Sequence, residues 1–219
     1  MFNDSGKLCK RYGVIVADCP WTYTDMKNGD PAMGGFKYPA MTLDALASLP
    51  ITSIAKDNCA LFMWATLPLL QQALFVIEQW GFIYTNCAFV WVKLNKNGVT
   101  YIYPVKTQRD VLLENGAYSG IGSYTNGNAE LCLLAKRGSI KRKEKNVKQI
   151  VFAPLQRHSQ KPEEVQNRIE RLMVDEDRIE LFARRYRDGW DCTGLDLDGN
   201  DIRDVLPSLE GIKSVAGGI

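Results

Sequence analysis

Tyr12-Gly13-Val14-Ile15-Val16-Ala17-Asp18 runs without a break into Cys19-Pro20-Trp21. The first seven residues are a continuous apolar run closed by an acid, which reads as a strand buried on both faces, the kind that belongs in a parallel sheet. In an open α/β sheet, ligands bind beyond the carboxyl ends of the strands. Asp18, Cys19, Pro20 and Trp21 therefore stand where a site belongs. A carboxylate accepts hydrogen bonds, proline fixes a turn that can aim the preceding carbonyl at a ligand, and tryptophan offers a flat face for stacking. Together they suit a planar base bearing an exocyclic amine. Asp18 and the Cys19 carbonyl would accept its two N–H bonds and localise the nitrogen lone pair for attack, while Trp21 holds the ring. Read alone, the tetrapeptide is equally well explained as a strand end with a capping acid and a core tryptophan.

Downstream, short apolar runs alternate with helical periodicity. The spacing predicts a helix over residues 42–55, opened by Thr42 with Leu43, Leu46 and Ala47 on one face, and a buried strand over 59–64. A helix over 69–80 carries Leu70, Ala73, Leu74, Ile77 and Trp80 in phase, with Gly81 as its stop, before a strand over 82–92. Residues 93–128, rich in Asn, Gly, Thr and Tyr, form a long irregular segment of the kind that usually serves function. A strand over 130–135 follows. Pro162-Glu163-Glu164 then opens a helix whose buried stripe is Val165, Ile169, Leu172 and Met173. Strands over 178–183 and 189–194 complete the pattern. The fold class is α/β, a mainly parallel sheet with helices on its faces. Residues 1–196 read as a single domain and 197–219 as a polar, Gly-rich tail, poorly ordered at its end.

Composition closes several routes. With 219 residues, 46% hydrophobic and 24% charged, the chain is an ordinary globular protein and neither disordered nor collagen-like. The richest apolar stretch, residues 60–70, is too short to span a membrane and contains Pro68, and the first residues have no hydrophobic signal region, so a cytoplasmic protein is expected. Six cysteines without a Cys-x-x-Cys pair and a single histidine, His158, point to a reduced protein with no metal site. Any Ser-His-Asp or Cys-His mechanism would pass through His158, and no Gly-x-Ser-x-Gly elbow supplies its nucleophile. Gly120-Ile121-Gly122 does not complete a dinucleotide fingerprint, because position 125 is Thr.

Charge is less neutral than it looks. The formal +2 comes from 27 Lys+Arg against 25 Asp+Glu, yet residues 136–148 hold seven basic residues against Glu144 alone, which leaves the rest of the chain net negative. Such a run is ordinarily a solvated loop. Beside a base-modifying pocket it becomes a phosphate-binding strip centred on Lys141, Arg142 and Lys143. Lys161, directly before a helix and near a strand that ends in polar residues, has two readings: a solvated lysine, or a seat for a carboxylate-bearing cofactor.

The motifs recur in series. Asp18-Cys19-Pro20-Trp21 is followed by Tyr38-Pro39-Ala40-Met41-Thr42-Leu43, Leu61-Phe62-Met63-Trp64-Ala65-Thr66, Trp80-Gly81-Phe82 and Val90-Trp91-Val92-Lys93. Asn128-Ala129-Glu130-Leu131-Cys132, His158-Ser159-Gln160-Lys161-Pro162, Ile179-Glu180-Leu181-Phe182-Ala183-Arg184 and Gly189-Trp190-Asp191 complete it. On these residues, spread over 12–194, the chain resembles the mRNA-adenosine-methyltransferase-like (MT-A type) family of N(6)-adenine methyltransferases, whose signature is Asp-Pro-Pro-Trp. The resemblance implies a Rossmann-like methyltransferase fold with permuted motif order and S-adenosylmethionine as donor. It implies that Asp18 accepts the target amine near the donor's methionine end, with Cys19, Pro20 and Trp21 completing the catalytic motif. Lys161, Glu180, Phe182, Arg184 and Asp196 would bind the donor, and residues 22–38, including Tyr38, would gate the nucleic-acid substrate. Two departures stand out: Cys19 replaces the first proline of the signature, and Leu195 replaces an asparagine that follows the last glycine, which predicts weaker donor binding.

The resulting expectation is an S-adenosylmethionine-dependent N(6)-adenine methyltransferase acting on nucleic acid, with DNA ahead of RNA. The alternatives are an RNA N(6)-adenosine methyltransferase and a catalytically silent nucleic-acid-binding subunit of the same fold. Sequence specificity would come from loops such as 93–128 or from a second protomer in a homo- or heterodimer.

Overall fold

The apolar run is β1, Tyr12–Ala17, and all six of its residues are buried. In the computed structural model, which describes residues 10–22, 40–96, 117–120, 124–156, 160–208 and 213–214, β1 pairs in parallel with β2 (Ala55–Ala65) on one side and β6 (Arg178–Leu181) on the other. Around this centre the described residues build an eight-stranded sheet in the order β5-β3-β4-β2-β1-β6-β7-β8. The remaining strands are β3 (Ile83–Leu94), β4 (Ala129–Arg137), β5 (Ile150–Pro154), β7 (Asp191–Thr193) and β8 (Lys213–Ser214). Only β4 and β8 run against the others. The sheet is thus mainly parallel, and the α/β Rossmann-like expectation holds.

Alternation along each central strand feeds two cores. Ile15, Ala17, Leu61, Met63, Ile179 and Leu181 pack on the face covered by α1 (Leu43–Ala47), α2 (Ile51–Ile54) and α3 (Leu70–Gln79). Val14, Val16, Ala60, Phe62 and Trp64 pack on the opposite face, against Val165, Ile169 and Met173 of α4 (Glu163–Leu172) and its cap. The first crossovers leave β1 towards β2, whereas α4 carries the chain back to β6 on the other flank. The strand order therefore switches at β1, and a crevice opens between the carboxyl ends of β1 and β6.

Besides β5 and β8, two strands absent from the sequence expectations, three regions differ from them. The helix over 42–55 is two short helices, because Pro50 lacks an N–H and its ring cannot follow a preceding helical turn. β2 starts at Ala55, four residues early, where Ala55 pairs with Tyr12. Within 197–219, α5 (Leu195–Asp198) leads to α6 (Ile202–Ser208), whose Ile202, Val205 and Leu206 are buried, so three apolar residues in a polar stretch dock on the core. The end of that stretch lies outside the described residues. Gly81 stops α3 as expected, with φ +74°. No helix among the described residues is long and apolar enough to cross a membrane.

Candidate active site

Asp18 leaves the carboxyl end of β1 beside Phe182, which leaves β6. The Asp18 carboxylate is met by one cation: Nζ of Lys161 lies 2.8 Å from Oδ1 and 2.9 Å from Oδ2. Lys161 comes from the segment that turns into α4, whose docking on the sheet aims the ammonium at β1. The same Nζ is 3.4 Å from Oε2 of Glu130, at the start of β4, and Oε1 of Glu130 accepts a hydrogen bond of 2.9 Å from Lys93 near the end of β3. Because β4 runs antiparallel, its first residues share with the last residues of β3 the edge of the sheet that carries Asp18. Asp18, Lys161, Glu130 and Lys93 form a chain of alternating charge, each side chain only 12–18% exposed. Aromatic faces support it: Lys161 stands 5.5 Å above the Trp64 ring and Lys93 5.2 Å above that of Trp91, and the two indoles meet edge to face.

Electrostatics follow from this geometry. Burial opposes the Lys161 charge, but Asp18 and then Glu130 outweigh it and hold the ammonium above the ordinary lysine value. Burial likewise opposes ionisation of Glu130, and Lys161 and Lys93 overcome it, so its carboxyl sits below the usual range. Among the described residues no cation pairs directly with Glu180, and the charges of Arg185 and Arg187 only partly offset its burial. Burial first and the Asp18 charge second push it up to about 7, and the Gln166 amide donates to its Oε2. Burial and the adjacent Asp18 raise the Cys19 thiol well above its ordinary value, which keeps it from acting as a nucleophile.

A cavity of about 300 Å³ opens in front of Asp18. Pro20, Met41, Thr42 and Ala45 form one wall, and Phe182, Arg184, Gly194, Leu195 and Asp196 another, closed by Asp201, Ile202 and Arg203. Arg184 and Asp196 pair at 3.9 Å on this second wall. Phe182 holds φ at +59°, a left-handed conformation that costs a non-glycine residue about 1–3 kcal/mol and is retained where the surroundings impose it. The turn is closely packed on its far side: a Cβ on Gly194 would lie 2.3 Å from the Ala183 carbonyl oxygen, so β7 ends in backbone contact with the turn after β6. A smaller cavity of about 20 Å³ lies between Asp18, Lys161, Gln166 and Glu180, about the size that holds a water molecule.

The residues singled out in the sequence sort into four places. Asp18, Pro20, Phe182, Arg184 and Asp196 line the large cavity, and Lys161 and Glu180 the small one beside it. Cys19 and Trp21 belong to the core next to them: Trp21 is 8% exposed, its indole N–H donating to the Trp64 carbonyl at 3.4 Å. Lys141, Arg142 and Lys143 lie at the opposite end of the sheet, since they follow Arg137, which pairs with Cys59 near the start of β2, and Lys143 bonds to Asp175 beyond the end of α4. Tyr38, His158 and the proposed gate from 23 onwards lie outside the described residues. Sequence reasoning assigned no role to Glu130, Lys93 or Gln166. The available signal was a charged residue at each end of an apolar run, Lys93 closing one and Glu130 opening the next.

The MT-A70 family model matches residues 12–196. The chain is 33% identical over 211 residues to the Type II methyltransferase M.MunI of Mycoplasma sp, covering 88% of this chain and 81% of that protein. It is 26% identical over 202 residues to the N(6)-adenosine-methyltransferase MT-A70-like protein of Drosophila melanogaster, covering 91% of this chain and 29% of the relative. It is also 26% identical over 197 residues to the human N(6)-adenosine-methyltransferase catalytic subunit METTL3, covering 89% and 30%. It thus spans most of the first relative and less than a third of the other two. With the matched region reaching from β1 to Asp196 on the cavity wall, the chain belongs to the MT-A70 family.

Proposed function

We propose that this chain transfers a methyl group from S-adenosylmethionine to the exocyclic amine of adenine in DNA. That it is an N(6)-adenine methyltransferase follows from its family; the donor, the choice of DNA and the role of each residue are the proposal. The observation that carries it is the Asp18 carboxylate, presented at the switch point of a parallel sheet into a cavity that also contains Arg184 and Asp196. Lys161 occupies one lone pair on each Asp18 oxygen and leaves the others, because a carboxylate offers about four acceptor sites. The Cys19 carbonyl accepts the Trp21 N–H at 2.9 Å and keeps its second lone pair. These two acceptors hold the amine hydrogens and hold its lone pair in place for attack.

The donor fits the cavity by chemistry. Met41, Ala45, Phe182 and Ile202 supply apolar walls for a base, Asp196 and Asp201 carboxylates for hydroxyls, Arg184 a cation for a carboxylate, and Asp18 an anion for a sulfonium. About 300 Å³ is at the small end of ligand pockets. When bound, S-adenosylmethionine supplies an electrophilic methyl whose leaving group is a neutral thioether. Asp18 therefore has to align and polarise the amine and to take up the proton that the methylated nitrogen releases, for which a strong base is not required. If the adenine lies in a duplex it must be flipped out, at a cost of roughly a few kcal/mol.

DNA is placed ahead of RNA on the similarity to M.MunI over most of both chains. The basic strip, in this reading, meets phosphates remote from the target base, and the protein works in the cytoplasm. The test is to incubate it with labelled donor and matched single- and double-stranded DNA and RNA, and to identify the methylated nucleoside by mass spectrometry. N(6)-methyldeoxyadenosine is expected; label in RNA alone would shift the reading to the RNA enzyme, and label in neither would refute it.

A further inference from the structure

Tyr124 is fully exposed, at 101% of its reference surface. It is carried by a well-braced stem. Gly120 and Gly127 exchange backbone hydrogen bonds of 3.1 and 3.0 Å, and a Cβ on Gly120 would come within 2.9 Å of the Tyr118 ring, so the glycine lets that ring pack across the stem. Lower down, the Tyr118 N–H donates to the Lys93 carbonyl and the Lys93 N–H to the Asn128 carbonyl, both at 2.8 Å, and the Asn95 amide bonds to Ala117. The stem is thus fastened to the two strands that present Lys93 and Glu130 to the site. Six steps of the chain lead from Tyr124 to Glu130, a reach of at most about 22 Å, and Glu130 shares the Lys161 ammonium with Asp18.

A braced stem that holds a bare aromatic ring in water, at the same edge of the sheet as Asp18, has a specific use. Extracting a base from its stack leaves its neighbours without a partner, and proteins that bind or bend nucleic acid meet such neighbours with aromatic faces or inserted side chains. We propose that Tyr124 is a nucleic-acid contact, its ring stacking on a base next to the target adenine. This rests on the nucleic-acid reading above and adds to it a residue that touches the substrate away from the reacting amine.

The test measures binding of fluorescein-labelled single-stranded and duplex adenine-containing oligodeoxynucleotides to the wild type, Tyr124→Ala and Tyr124→Phe, by anisotropy over a range of salt concentrations. Loss of one stacked base is worth about tenfold in affinity. The expected result is a roughly tenfold weaker Kd for Tyr124→Ala with an unchanged salt slope, near-complete recovery in Tyr124→Phe, and unaltered binding of S-adenosylmethionine by calorimetry. A lower salt slope would indicate a phosphate contact and overturn stacking; equal affinities of wild type and Tyr124→Ala, or a Tyr124→Phe variant as weak as Tyr124→Ala, would overturn it as well. If the wild type binds and methylates DNA and Tyr124→Ala matches it, only this inference fails. If the wild type does neither, the functional reading fails with it.

Discussion

One ammonium, that of Lys161, spans both carboxylate oxygens of Asp18 at 2.8 and 2.9 Å. The pair is not isolated, for Glu130 and Lys93 extend it across two further strands. A charge buried in this way is tolerated only while its partners remain, and removing one partner of a buried pair costs about 3–5 kcal/mol. Glu130→Gln leaves two ammonium groups facing each other across a neutral amide. It is expected to lower stability by about 3 kcal/mol. Because Glu130 is held below its ordinary value, its contribution is present above that value and is lost as pH falls through the lowered one. Denaturant titrations from pH 7 down to pH 3 should show a shallower acid limb in Glu130→Gln than in the wild type; identical limbs would contradict the pairing.

Glu180 predicts the opposite sign. Its carboxyl is raised to about 7 from 4.5, so between those values the unfolded chain loses a proton that the folded chain keeps, and stability falls as pH rises. The loss amounts to up to about 3 kcal/mol, less where solvent reaches the group. Glu180→Gln removes it. The variant should gain stability on the wild type between pH 4.5 and 7 in thermal melts, and parallel curves would refute the shift.

Gly194 fixes the far wall of the cavity. A methyl group there meets Ala183 backbone atoms at 2.3 and 2.7 Å, which only a shift of β7 can relieve. Gly194→Ala is expected to lose about 1–3 kcal/mol of stability, as overpacked sites do, and to weaken donor binding in calorimetry. Unchanged donor affinity would show that this wall does not contact the donor.

Lys141, Arg142 and Lys143 lie at the edge of the sheet remote from Asp18. If they meet phosphates, they do so on duplex that extends past the catalytic end. Neutralising all three should leave binding of a short single strand unchanged and reduce the salt slope on a long duplex by about 2–3, the lower figure applying if Lys143 stays paired with Asp175. An equal effect on both substrates would contradict this placement.

Much of this was legible in the sequence, for identifiable reasons. β1 has no polar residue within it and could only be a buried parallel strand, and its terminal Asp18 marked the site. Lys161 was legible because it stands directly before a clear helix start. The strand β4 was recognised but not its direction, since an apolar run carries no polarity of its own; the reversal puts Glu130 at the site and the basic strip away from it. The left-handed turn at Phe182 was hidden because no glycine, asparagine or aspartate marks that position, and its contact with Gly194 lies twelve positions away in the chain. α6 was missed because Ile202, Val205 and Leu206 are few among polar neighbours.

The central claim is that Asp18 holds the amine that is methylated. Mass spectrometry of nucleosides from DNA incubated with S-adenosylmethionine and either the wild type or Asp18→Ala tests it most directly. The account predicts N(6)-methyldeoxyadenosine with the wild type and a loss of at least about a hundredfold in Asp18→Ala, the scale on which single transition-state contacts act, in a variant that still unfolds cooperatively. A well-folded Asp18→Ala that methylates adenine at the wild-type rate would contradict it.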